Sequence, residues 1–235
     1  LMIHNYSIHA GKVLHWDTSD SESLYLKNIQ EPKLYQELLN LGFINTKIDY
    51  KFNSHGFRTI EFDDKIEVLC FGCSFTMGTG IHAKDTWPSQ FEFKTGLKTA
   101  NLGLAGSSND TTFRLARHYL PLLQPKYAIW VQTDMHRIEL LDDSIPISLN
   151  ILAGDTSNPC AKDYFIKTWF SCDTNQQLQL QKNTLGFEML CRSENIIPII
   201  ISRNAVPHID YARDLMHPGR LSYKKLAETM VDICI

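Results

Sequence analysis

Ser74 closes the stretch Val68-Leu69-Cys70-Phe71-Gly72-Cys73-Ser74, an apolar run that breaks at a glycine. A serine on a strand-to-helix turn stands at the carboxyl edge of a parallel sheet, where α/β sites form. The helix end behind it offers N–H groups to a developing oxyanion. Its hydroxyl becomes a nucleophile only beside a base that is itself oriented by a carboxylate. Asp214 and His217, three residues apart and followed by Pro218, can supply that pair from a single turn. Pro218 disfavours helix at His217 and so keeps it on the loop before the last helix. Gly72-Cys73-Ser74-Phe75-Thr76 has no glycine two positions after the serine, so it fails the elbow of ordinary α/β-hydrolases. The structural alternatives are a capping serine at 74 and turn chemistry at 214 and 217.

Two other chemistries overlap the same stretch. Gly78-Thr79-Gly80-Ile81-His82-Ala83 fits the glycine pattern of a dinucleotide cradle, but Gly78 stands well past the strand end and the next strand closes on Asn101-Leu102 rather than an acidic residue. A glycine turn is the expectation. Cys70-x-x-Cys73 could be a redox or zinc pair; Cys70 lies within the strand pattern, where a buried thiol is usual, and no second ligand pair accompanies it. The six cysteines (70, 73, 160, 172, 191, 234) have no framework spacing and read as reduced thiols of a cytoplasmic protein.

The elements that must position these residues alternate from residue 66 onward. Ile66–Gly72 reads as a strand, Trp87–Phe93 as the start of a helix closed near Gly96, and Lys98–Leu102 as a second strand. Ser108 caps the next helix with Asp110 in its first turn, and Phe113, Ala116, Tyr119, Leu120 and Leu123 recur at helical spacing. Tyr127–Gln132 is a third strand. Residues 136–160 read as an irregular excursion and 161–194 as mostly helical, with a break at Cys172–Thr174. Ile196–Ser202 is an apolar run suited to a strand covered on both faces. Leu221–Ile233 is a last helix with Tyr223, Leu226, Ala227 and Met230 on one side. Strands alternating with helices predict a three-layer α/β fold with a parallel central sheet over residues 66–235. Residues 1–65 are polar and turn-rich, with only Pro32–Leu41 clearly helical, and read as an N-terminal extension packed on that core.

Bulk properties exclude several classes. The 235 residues are 43% hydrophobic and 21% charged, ordinary for one globular domain with an extension. The net charge of −3 and the lack of a basic cluster argue against nucleic acid. No apolar run reaches the ~20 residues that span a bilayer, and the N-terminus lacks the pattern of a secretory signal.

Taken together and in order, these blocks resemble the SGNH (GDSL) hydrolases over about residues 53–233. Gly72-Cys73-Ser74 with Phe75-Thr76-x-Gly78 corresponds to the family's first block. Asn101-Leu102-Gly103-Leu104-Ala105-Gly106 corresponds to the second, and Asp214 to Pro218 to the last; Asn53–Arg58 and Trp87-Pro88 look like further family features. The resemblance implies a flavodoxin-like α/β/α sandwich of the SGNH-hydrolase type. It implies a Ser74–His217–Asp214 triad that cleaves a small acyl ester, such as a carbohydrate O-acetyl group, without cofactor or metal. The backbone N–H groups of Ser74 and Gly106, with Thr133, would form the oxyanion hole. The chain departs from the pattern at Cys73, where an Asp is usual, and at Thr133, where the family places an Asn. Asp134, His136, Arg137 and Glu139 follow the third strand and are expected at the same sheet edge, the first three as substrate contacts and Arg137 as a clamp for a carboxylate or phosphate. Trp16, Tyr25 and Tyr50 could form pocket walls or core. A non-catalytic binding module on a decayed hydrolase fold, or acyl transfer by the same triad, are the alternatives.

Overall fold

The computed structural model describes residues 9–63, 65–140, 149–151, 169 and 172–234. The chain begins with β1 (Val13–Leu14), α1 (Glu22–Gln30), α2 (Pro32–Asn40) and β2 (Tyr50–Lys51). The core follows as β3 (Val68–Phe71), α3 (Ser74–Met77), α4 (Trp87–Thr95), β4 (Thr99–Asn101), α5 (Asn109–Leu123) and β5 (Tyr127–Val131). It continues through β6 (Ile138–Leu140), β7 (Leu149–Ile151), α6 (Asp173–Ser193), β8 (Ile197–Ile201) and α7 (Arg220–Cys234).

Four strands form a parallel sheet in the order β4-β3-β5-β8. Successive side chains of a strand point to opposite faces, and β3 sorts accordingly. Val68 and Cys70 join the core that contains Trp87 and Phe91 of α4 and Tyr223, Leu226 and Met230 of α7. Leu69 and Phe71 join the core that contains Leu115, Ala116 and Leu120 of α5 and Phe187 of α6. Helices therefore cover both faces, giving the three-layer α/β/α arrangement with the parallel sheet that the alternating pattern implied.

Local signals explain the helices that carry the site. Thr86 caps α4, Pro88 lies in its first turn and Gly96 ends it in the left-handed conformation. Ser108 and Thr111 form a reciprocal capping box on α5. The apolar face of α5 is centred on Leu115, Ala116, Tyr119 and Leu120, with Phe113 and Leu123 only partly covered.

Four expectations are corrected. The region 1–65 holds a second helix, α1, capped by the Ser21 side chain and packed on α2. The excursion is not wholly irregular, because β6 and β7 pair antiparallel; residues 141–148 and 152–160, Cys160 included, lie outside the described residues. The expected break at Cys172–Thr174 is the start of α6, and residues 161–168 lie outside the described residues. The apolar run at Ile196–Ser202 is β8 at the sheet edge, where Ile197 is 48% exposed, rather than a strand buried on both faces.

The N-terminal residues share the core of the parallel sheet. Leu38, Phe43, Ile48, Tyr50 and Phe52 are buried in the same cluster as Cys70, Trp87 and Tyr223. Arg220 of α7 donates to Leu41 O at 2.6 Å and lies over the Phe43 ring.

Candidate active site

Ser74 is the first residue of α3, immediately beyond β3. At that position its N–H has no intrahelical acceptor. Two glycines make the turn possible. A Cβ on Gly72 would stand 2.3 Å from Thr76 Oγ1 and 2.8 Å from Val131 O, and one on Gly103 would stand 2.4 Å from Met77 N. Any side chain there would push α3 off the sheet. Asn101 fixes the same contact, donating from Nδ2 to Thr76 O at 2.7 Å and accepting from Gly103 N at 2.9 Å. The loop after β4 closes over Gly72, whose carbonyl accepts from Leu104 N and from Ser107 Oγ.

The loop 210–219 brings the other two groups. Tyr211 and Pro218 pair across it, and Ala212 N donates to His217 O. Asp214 Oδ1 accepts from Met216 N and His217 N, each at 3.0 Å, an Asx turn that explains the three-residue spacing. His217 Nδ1 lies 2.6 Å from Asp214 Oδ2, and His217 Nε2 lies 2.7 Å from Ser74 Oγ. Both spacings are within hydrogen-bond reach. Ser74, Asp214 and His217 are thus brought together across 143 residues of chain.

Asp214 is buried, with its side chain fully covered. Burial, the largest single influence, pushes its pKa upward. Its hydrogen bonds and attraction to His217, with the Ser19 hydroxyl, outweigh this and hold it below the ordinary carboxylate value. The carboxylate form is thus favoured, with Oδ2 against the imidazole Nδ1.

Gly106 takes a left-handed conformation (φ 74°), and a Cβ there would meet nothing within 4 Å. Thr133 follows β5, and both its backbone groups are held by Asn109, whose Nδ2 donates to Thr133 O and whose Oδ1 accepts from Thr133 N. Its hydroxyl is buried and has no hydrogen-bond partner among the described residues. A fixed backbone with an unused donor at the sheet edge suits a group awaiting a ligand oxygen.

The residues expected after β5 separate into two environments. Asp134 accepts from Arg203 Nη1 at 3.1 Å and pairs with Arg137 Nη2 at 3.4 Å. Arg203 also lies over the Phe75 ring, 4.4 Å from its centroid, and Phe75 meets the His217 ring edge-on at 5.4 Å. The Asp134–Arg137–Arg203 cluster is therefore one aromatic ring away from the imidazole. His136 accepts through its carbonyl from Trp169 Nε1, and burial lowers the pKa of its ring. Glu139 lies against the first turns of α5 and is tied up there by Arg114 through Nε (2.6 Å) and Nη2 (2.8 Å), with the Thr111 hydroxyl adding a third bond.

The neighbouring motifs take structural positions. Gly78 is the left-handed cap of α3, and Gly80 N donates to the Tyr50 hydroxyl. Cys70 and Cys73 are free, buried thiols in the apolar core, and burial raises the Cys70 pKa well above its usual value. Arg58 donates to Gly78 O and Ile81 O, so the Asn53–Arg58 segment braces the exit from α3. A cavity of about 300 Å³ lies away from Ser74, lined in part by Lys51, Asn53, Arg58, Glu61 and Glu92.

Sequence reasoning missed Ser19, Asp20, Arg213, Asn109 and Arg203. Ser19 donates from Oγ to Asp214 Oδ2 at 2.7 Å. Asp20 and Arg213 form a buried two-bond ion pair, Nε to Oδ1 at 2.8 Å and Nη2 to Oδ2 at 2.7 Å. Arg213 stacks 3.9 Å from Trp16, and Tyr50 donates to Asp20, so these aromatic rings are supports rather than pocket walls. The adjacency of Arg213 to Asp214 is the one local signal; the partners nearly 200 residues earlier leave none.

No family model matches the chain, and no curated protein matches it. Solved structures with similarity to it include a lipolytic protein of the G-D-S-L family from Desulfitobacterium hafniense, 12% identical with a TM-score of 0.47 over 71% of this chain and 98% of that one. TesA is 12% identical, with a TM-score of 0.46 over 71% and 96% of the two chains. A family 3 carbohydrate esterase from Clostridium thermocellum is 13% identical, with a TM-score of 0.39 over 72% and 97%.

Proposed function

We propose that this protein is a serine esterase in which Ser74 is the nucleophile, His217 the general base and acid, and Asp214 the orienting carboxylate. One observation carries the reading: the unbroken chain Ser74 Oγ–His217 Nε2 (2.7 Å) and His217 Nδ1–Asp214 Oδ2 (2.6 Å). Ser74 Oγ attacks the ester carbonyl as His217 Nε2 takes its proton, and the same proton passes to the leaving alcohol. Water, deprotonated by His217, then attacks the acyl-enzyme, and the proton passes from His217 to Ser74 Oγ as the acid leaves. The N–H groups of Ser74 and Gly106 and the Thr133 hydroxyl receive the oxyanion in this scheme. A small acyl group is what the resemblance of the sequence blocks implies. The Arg137–Arg203–Asp134 cluster beside Phe75 is the proposed contact for the alcohol side of the substrate, a small molecule or glycan, with His136 next to it. Residues 1–65 are proposed as an extension of one α/β unit that begins at residue 66.

The test is labelling by a fluorophosphonate probe and turnover of a short-chain aryl ester, beside Ser74→Ala and His217→Ala. The parent should label and turn over, with both variants at background. A parent no better than Ser74→Ala would sink the esterase reading. Thr133, standing where the resemblance implies an Asn, favours a second reading, a non-catalytic binding module; a parent that neither labels nor turns over supports it, whereas labelling without turnover points to a weakened oxyanion hole.

A further inference from the structure

We propose that Ser19 is a positioning residue for the His217–Asp214 pair, a fourth member of the hydrogen-bonded chain that the N-terminal arm contributes. The proposal rests on the esterase reading above. Ser19 Oγ donates to Asp214 Oδ2, the oxygen that His217 Nδ1 also binds, and stands 3.4 Å from His217 Nδ1 itself. With Met216 N and His217 N on Oδ1, the carboxylate receives four donors. Among the described residues, only the Ser19 bond comes from outside the 210–219 loop. Without it, the carboxylate would be held against rotation, among the described residues, by its own loop.

The arm is built to place that hydroxyl. Asp17 and Asp20 exchange backbone hydrogen bonds at 3.0 and 3.1 Å, closing a tight turn with Thr18 and Ser19 at its tip. Thr18 has φ 54°, a conformation that costs a β-branched residue energy and that marks constrained sites. The residue after Ser19 grips the residue before Asp214 through the Asp20–Arg213 pair. Arg213 Nη1 and Nη2 also donate to Thr46 O and His15 O, so four of the five guanidinium N–H groups are held by the arm. Ser19 and Asp214 therefore have a shared, rigid reference, and the hydroxyl cannot drift from the carboxylate without breaking a buried ion pair.

The charged and titratable groups around His217 are Asp214 on its own loop, the neighbouring Arg213–Asp20 pair, and Arg203 and His208, both packed on Phe75. Ser19 draws on the charge of Oδ2 in competition with His217 Nδ1. Removing its hydroxyl leaves that charge to the imidazole alone and favours imidazolium.

The experiment compares full-length parent, Ser19→Ala and Ser19→Thr, reading kcat and KM for an aryl ester across pH and the His217 ring titration by NMR. Ser19→Ala should lower kcat about tenfold, as loss of one charge-assisted bond predicts, with KM unchanged. Its acid limb and its NMR midpoint should move to higher pH, and Ser19→Thr should restore both. A Ser19→Ala profile and NMR midpoint that superimpose on the parent overturn the proposal while leaving the esterase reading intact. A uniform loss at every pH with a lowered melting temperature also overturns it, in favour of a purely structural role. If the parent neither labels nor turns over, the esterase reading falls. The NMR midpoint then decides alone, a shift in Ser19→Ala supporting the hydrogen-bond role and no shift removing it.

Discussion

At the residue scale the least ordinary group is the Thr133 hydroxyl, buried and unpartnered among the described residues while its backbone is clamped by Asn109. A buried donor without an acceptor costs stability, so the hydroxyl is a group with a cost and a proposed use. Thr133→Val keeps the shape and removes the hydroxyl. Its stability should equal the parent's or exceed it by up to about 1 kcal/mol, by chemical denaturation, while ester turnover falls by about tenfold or more through loss of an oxyanion donor. An unchanged rate would remove Thr133 from the oxyanion hole. Cys73, the other departure, fills an apolar position beneath the turn, so the turn is held instead by Asn101 and by the glycines at 72 and 103.

At the scale of elements, a loop and an arm are joined by charge. Arg213 and Asp20 are both almost completely buried, and an ion pair taken out of water gains little over an apolar pair of the same size. Breaking one side is different, because it leaves an uncompensated charge inside. Asp20→Ala should cost about 3–5 kcal/mol in urea unfolding, and Asp20→Leu combined with Arg213→Met should recover most of that. A double variant no more stable than the single one would show that packing rather than charge dominates this junction. The element scale also shows what the sequence could carry. α4, α5 and α7 were legible because caps and apolar spacing agree with burial. α1 was not, since Asn28 is its only buried residue and the helix depends on the Ser21 cap and on α2. β8 was recognised as a strand but not as an edge, because an apolar run reports length and hydrophobicity and says nothing of which strand pairs beside it.

For the whole molecule, the order of strands in the sheet could not be counted from residues, but the site's location at the carboxyl edge could, since Ser74, Gly106 and Thr133 each follow a strand. Ser19 was invisible because its partner is 195 residues away and its turn, Asp17 to Asp20, looks like any polar loop. The acid behaviour of the fold belongs at this scale. The Asp214 pKa is depressed, so the stability it contributes is complete above the unfolded carboxylate value of about 3.9 and is lost as pH falls through the lower folded value. Burial raises the Asp17 pKa, which gives the opposite sign and partly offsets that loss. Melting temperature should therefore fall more steeply for the parent than for Asp214→Asn between about pH 5 and pH 2. Parallel curves would mean that Asp214 is not an anion held by its neighbours.

The meeting of Ser19 with Asp214, and of Asp20 with Arg213, also sets a timetable. Ribosomes deliver roughly 5–20 residues each second, so the arm and the nucleophile turn emerge many seconds before the loop that completes them. A nascent chain that stops short of residue 213 carries Ser74 with no base and leaves Asp20 with no counter-ion. In the proposed mechanism the Ser74 hydroxyl therefore has no base until the 210–219 loop has left the ribosome and folded back onto it.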